Sequence, residues 1–151
     1  MFQIIPESKL IRSEITLRDM SLPEETKLTK KSLIRWVALS FGLINPNETR
    51  KLLLDILEVL FDFHVKNYQP TTQEILESLK ELNKKEPNPK AVYYHLLKLK
   101  ESGFIDRKKG KHYFNDEGKS LSETFTQLYQ KKFLESFRNI EEALKKLEKG
   151  Y

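Results

Sequence analysis

Lys90, Tyr93, Tyr94 and Lys98 recur three and four residues apart, and Arg107, Lys108, Lys109, Lys111 and His112 follow closely. Spacings of three and four bring side chains together on one face of a helix. The first group therefore presents positive charge and polar rings on a common side. Cations so grouped neutralise phosphates and release their counterions, while aromatic and polar side chains meet sugars and base edges. The charge is local: residues 84–112 carry nine lysines and arginines against three acidic residues, a net +6, whereas the whole chain is +5 and everything else −1. The chemistry offered is recognition of a polyanion.

Other chemistries find little material. His64, His95 and His112 are scattered and there is no cysteine, so no metal-ligand spacing emerges. No glycine-rich phosphate loop and no nucleophile elbow is present, and ordinary solvation on helix surfaces accounts for the acidic residues. No catalytic residue, metal or cofactor is expected, and the chain does not read as an enzyme. With 151 residues, 38% hydrophobic and 32% charged, it suits one globular domain with elaborations. No apolar run approaches the roughly 20 residues that cross a bilayer, and the N-terminus lacks a signal-peptide pattern. A cytoplasmic protein without membrane contact is the expectation.

The elements that must position the basic cluster can be read from caps and periodicity. Residues 1–47 form an arm, with a hint of a short strand at Ile15 and Leu17, then a helix capped by Thr29 and stopped at Gly42. Leu33, Ile34, Trp36, Val37 and Phe41 should make that helix largely buried. Asn45, Pro46 and Glu48 suit the start of a second helix, whose Leu52, Leu53, Ile56, Leu57, Leu60 and Phe63 would form the central core. Thr71 and Glu74 read as a capping box ahead of the stripe Ile75, Leu79 and Leu82. Asn88 and Pro89 then start a helix that buries Val92, Leu96 and Leu99 and ends at Gly103. This turns Lys90, Tyr93, Tyr94 and Lys98 outward. Leu97 falls on the same polar side, where it could meet the arm or a partner; His95 reads as a hydrogen-bonded boundary residue. A hairpin turning at Gly110 follows, and Asn115 reads as the cap of a long last helix.

Two helices joined by a turn and followed by a basic hairpin constitute a winged helix-turn-helix: the second helix fits the major groove and the hairpin reaches the backbone. "AVYYHLLKLKESGFI" and "HYFNDEGKSL" resemble winged-helix transcriptional regulators of the PadR, ArsR and MarR kind. In those the recognition helix typically ends in leucine-x-x-leucine-x-x-x-glycine-leucine-isoleucine, and here Leu96, Leu99, Gly103, Phe104 and Ile105 stand at those places. Their second wing strand typically runs tyrosine-x-leucine-threonine-x-x-glycine, matched by Tyr113, Asn115 and Gly118. The resemblance spans roughly residues 48–121 and implies that Tyr93 and Tyr94 occupy positions that often touch DNA. It implies no effector ligand.

Along the last helix Phe133, Phe137, Ile140, Leu144, Leu147 and Tyr151 recur at steps of four and three, a seam of the coiled-coil kind. Phe125 and Tyr129 join it upstream through a stutter-like phase change. The expected architecture is thus mainly α with a small β-hairpin wing: an N-terminal helical extension (1–47), a winged-helix DNA-binding domain (48–115) and a C-terminal dimerisation helix (116–151). The expected function is sequence-specific binding of double-stranded DNA by a homodimer that regulates transcription. The alternatives are a winged helix serving protein contacts in a transcription or chromosome assembly, and an RNA-binding protein.

Overall fold

A computed structural model describes residues 4–48, 50–116 and 120–151. Five α-helices and a two-stranded antiparallel hairpin follow in the order α1 (Lys30–Ser40), α2 (Lys51–Val65), α3 (Thr72–Asn83), α4 (Pro89–Glu101), β1 (Ile105–Lys108), β2 (Lys111–Phe114) and α5 (Leu121–Glu148). No helix among the described residues is long and apolar enough to cross a membrane.

Local chemistry explains most of the helix starts. The Thr29 hydroxyl accepts from the Ser32 amide, and Thr71 with Glu74 makes the reciprocal capping box. The Asn88 carboxamide oxygen accepts from the amides of Lys90 (3.0 Å) and Ala91 (3.3 Å), with Pro89 in the first turn. Each cap satisfies amides that have no partner inside the helix. α1 stops before Gly42, whose φ of +71° suits a residue without Cβ. A Cβ there would also sit 2.7 Å from the Thr16 methyl, so the arm presses on this turn.

Two helix starts and one strand differ from the sequence reading. α2 begins at Lys51, not at Asn45. The Arg18 guanidinium donates to the Leu39 and Ile44 carbonyls and to Asn45 Oδ1, while Asn45 Nδ2 donates to Glu48. With its amide occupied by the arm and by a turn, Asn45 does not cap. α5 is capped by Ser120, which accepts from the Glu123 amide, instead of by Asn115. The Asn115 amide instead reaches the Phe104 carbonyl and prolongs the hairpin. The stretch around Ile15 and Leu17 has no partner strand among the described residues; the Arg18 amide bonds singly to the Ser40 carbonyl. The arm lies on α1, with Trp36 Nε1 donating to the Ser21 carbonyl at 2.8 Å, but Ile4, Ile5, Leu10 and Ile11 at its tip are exposed.

α2 is the central helix. Its Leu53, Ile56, Leu57 and Leu60 meet Ile34 and Ala38 of α1, Ile75 and Leu79 of α3, and Val92, Leu96 and Leu99 of α4 in one core. Of the expected stripes, Leu82 lies at the exposed margin, and Leu33, Trp36 and Val37 of α1 are only half-buried. An aromatic cluster then fastens the start of α5. Phe41 meets Phe104 edge-on at 4.8 Å, Phe104 and Phe125 lie 5.0 Å apart, and Tyr129 stands 5.2 Å from Phe41. Phe125 and Tyr129, expected in an intermolecular seam, are thereby half-buried against this aromatic cluster of their own chain.

Candidate nucleic-acid interface

The outward face of α4 follows from its buried one. At about 100° per residue, burying Val92, Leu96 and Leu99 leaves Lys90, Tyr93, Tyr94, Leu97 and Lys98 on the opposite side, and all five are exposed. Lys98 extends over the Tyr94 ring, its Nζ 5.6 Å from the ring centre, and lies 3.5 Å from Glu101 Oε2. The ring face attracts the ammonium and the carboxylate holds it loosely, so the cation stays on the outward side. His95 is half-buried at the margin, as a boundary residue should be. Burial and, secondly, the charge of Arg50 lower its pKa.

The hairpin is tight. Lys108 pairs with Lys111, and Lys109 (φ +52°) and Gly110 (φ +77°) form the two-residue turn between them. Positive φ at both central positions matches the right-handed twist of the strands, and the second of them is the glycine. Lys108 and Lys111 thus stand directly opposite one another, an arrangement of like charges that disfavours the hairpin unless an anion joins it. Among the described residues none of Arg107, Lys108, Lys109 and Lys111 has an ion-pair partner, and all four side chains are exposed.

The base of the hairpin is fastened to the start of α3. The His112 amide donates to the Pro70 carbonyl at 2.8 Å, and Thr71 forms a bridge with Lys111. The His112 ring, 4% exposed, shares a 2.9 Å hydrogen bond between its Nε2 and Thr72 Oγ1. Burial, reinforced by the nearby charges of Arg107 and Lys100, pushes its pKa down to about 4. His112 is therefore a neutral internal strut. Its expected place among the ligand-facing residues is corrected, because side chains alternate along a strand and His112 shares its inward face with buried Phe114. That apolar residue two places on was the available signal.

The sequence reading also missed residues that the fold brings to this side. Lys100 is close enough to the hairpin for its charge to act on His112, and Arg50 acts likewise on His95. Lys100 belongs to the basic segment but falls off the outward stripe of α4, and Arg50 precedes α2. Only the packing of α2, α4 and the hairpin could reveal either. Gly118, part of the family-like wing pattern, lies outside the described residues.

Among the described residues no group of His, Asp and Glu side chains is placed to hold a metal ion. No family model, curated protein or solved structure matches this chain.

The far part of α5 forms a second surface. A ladder of rings runs from Tyr129 to Phe133 and Phe137, each pair 6.3 Å apart. Phe133 is half-buried, whereas every residue from Leu134 to Glu148 is exposed, including Phe137, Ile140, Leu144 and Leu147.

Proposed function

We propose that this chain is a winged helix-turn-helix protein that binds double-stranded DNA in a sequence-specific manner and regulates transcription as a homodimer. The observation that carries the reading is the cluster of unpaired cations on the hairpin, Arg107, Lys108, Lys109 and Lys111, beside an exposed helix face bearing Lys90, Tyr93, Tyr94 and Lys98. Like charges held opposite one another and without counter-ions are stabilised by phosphates. The order of elements agrees: a core helix, a bridging residue at Thr71, two helices, then a hairpin that bonds back to that bridge. In this reading α4 enters the major groove and the hairpin follows the backbone. The resemblance of residues 48–121 to PadR-, ArsR- and MarR-like regulators points the same way.

Dimerisation rests on α5. A helix of 28 residues extends about 42 Å, and the seam along its far half lies bare. Isolated helices of up to about 15 residues, roughly the length of the bare stretch 134–148, are marginal in water, and each large apolar side chain gains about 1.5–3 kcal/mol on full burial. Phe133, Phe137, Ile140, Leu144 and Leu147 meeting their symmetry mates would supply both the burial and the two-fold axis needed for a palindromic site.

A second reading draws on Leu97, which with Tyr93 and Tyr94 makes the outward face of α4 partly apolar. That face would also suit a protein partner in a transcription or chromosome assembly. Selection of duplexes from a random pool by the full chain separates the readings. Enrichment of a palindromic sequence is the expected result. Recovery of no sequence, with binding to single-stranded RNA or to protein alone, would overturn it.

A further inference from the structure

The outward face of α4 has a composition that says which bases it suits. Direct readout in the major groove uses a few pairings: arginine or lysine with guanine, asparagine or glutamine with adenine, acidic residues with cytosine, and apolar groups with the thymine methyl. The thirteen residues of α4 include no arginine, asparagine or glutamine. The Asn88 oxygen just before it is held by two backbone amides. Lys98 and Glu101 face each other across 3.5 Å, which leaves Lys90 as the one lysine of the outward stripe outside an ion pair among the described residues.

At the middle of that stripe stands Leu97. It is three residues from Tyr94 and four from Tyr93, so the three side chains are neighbours on one surface. Their exposures are nearly equal, 53% for Leu97, 52% for Tyr93 and 51% for Tyr94. A leucine half bare at the centre of a cationic face gains nothing from solvent and nothing from phosphate. Its branched methyls would gain from an apolar contact, and the only apolar group on the major-groove edge of a base pair is the C5-methyl of thymine. The two tyrosines beside it offer hydroxyls that reach phosphate or sugar, while flanking lysines bring the face onto the duplex.

We infer that Leu97 is a specificity-determining residue that reads thymine methyl groups, so that the preferred half-site contains thymine where the middle of α4 meets the groove. This rests on the DNA-binding reading above. It makes the apolar part of the face a component of nucleic-acid recognition instead of a protein-docking patch.

Deoxyuridine differs from thymidine only by lacking this methyl, so it isolates the contact. The full chain is titrated with the duplex enriched from the random pool and with copies in which single thymidines are replaced by deoxyuridine. At one or two positions per half-site the wild type should lose roughly fourfold in affinity, the effect of about 0.8 kcal/mol for one buried methyl-sized group. Leu97→Ala should bind more weakly and no longer distinguish thymidine from deoxyuridine there, while keeping its salt dependence. Tight binding by the wild type that ignores every replacement would overturn the inference and leave the DNA-binding reading intact. Discrimination that survives in Leu97→Ala would assign the methyl contact to another side chain and likewise overturn it. Absence of any enriched duplex would overturn the underlying reading, and this inference with it.

Discussion

The hairpin tip and the far half of α5 are both left unsatisfied by the fold of the described residues, and they are unsatisfied in opposite ways. At the hairpin, Arg107, Lys108, Lys109 and Lys111 carry charge with no ion pair among the described residues, only the longer-range attraction of Lys111 for Glu74, over a base locked by the His112–Thr72 bond. On α5, Phe137, Ile140, Leu144 and Leu147 carry bare apolar area, while the adjacent Glu141 and Lys145 are already paired with each other at 2.8 Å. In the proposed function the first surface is completed by a polyanion. The second can be completed by dehydration, which a matching apolar seam on another copy provides. Each kind of incompleteness selects its own class of partner, because charge and apolar area are relieved by different physical events.

That contrast can be broken most severely at α5. Placing glutamate at both Phe137 and Ile140 should convert the proposed dimer to monomer in sedimentation, with the helical core still folded, since neither residue belongs to it. Affinity for the palindromic duplex should fall by orders of magnitude as the second half-site is lost. A persistent dimer would move the interface elsewhere, for instance to the exposed arm tip at Ile4, Ile5, Leu10 and Ile11.

The complementary experiment discharges the hairpin. Replacing Arg107, Lys108, Lys109 and Lys111 with alanine should weaken binding to all duplexes alike. It should also flatten the dependence of log affinity on log salt by roughly three to four per protomer, since each phosphate contact contributes about 0.9. The dimer should be untouched. An unchanged salt slope would remove the hairpin from the interface.

A smaller effect tests how the hairpin is held. His112 is neutral in the fold with a pKa of about 4, below its ordinary 6.5. The unfolded chain therefore binds more protons between these values, and stability falls as pH drops through that window. The contribution is fully present above about pH 6.5 and lost by about pH 4, with an upper bound of about 3–4 kcal/mol. Denaturant midpoints measured from pH 7 to pH 4 should show this loss in the wild type. The loss should be distinctly smaller in His112→Gln, and parallel curves would exclude His112 as the titrating strut.

The smallest effect separates reading from anchoring within α4. Tyr94→Ala should change relative affinities among duplexes by several-fold while leaving non-specific binding nearly constant, because base contacts specify and phosphate contacts position. Uniform loss across sequences would make Tyr94 an anchor, together with the Lys98 ammonium above its ring.

Much of the architecture is legible residue by residue because its signals are local. Thr29, Thr71 and Asn88 cap their helices as read, since a cap is an agreement among four neighbouring residues. The buried stripe of Val92, Leu96 and Leu99 fixed the outward direction of Lys90, Tyr93, Tyr94 and Lys98 in the same way. The misreadings arise where a distant group takes the side chain or backbone atom concerned. Asn45 is claimed by Arg18 from the arm, and Asn115 by Phe104 across the hairpin. Phe125 and Tyr129 repeat like seam residues yet pack on Phe41, more than eighty residues earlier in the chain.

The sequence by itself determined the helical periodicities, the caps at Thr29, Thr71 and Asn88, the hairpin and the confinement of positive charge to residues 84–112, because each depends on spacing along the chain. Only the tertiary structure decided that His112 turns inward to Thr72, that Lys100 and the hairpin share one electrostatic neighbourhood, and that the apolar seam of α5 divides into a part half-buried against its own chain and a part left bare. Those outcomes depend on which surfaces meet. Periodicity states that a face is apolar, whereas burial of that face is settled by whatever folds against it.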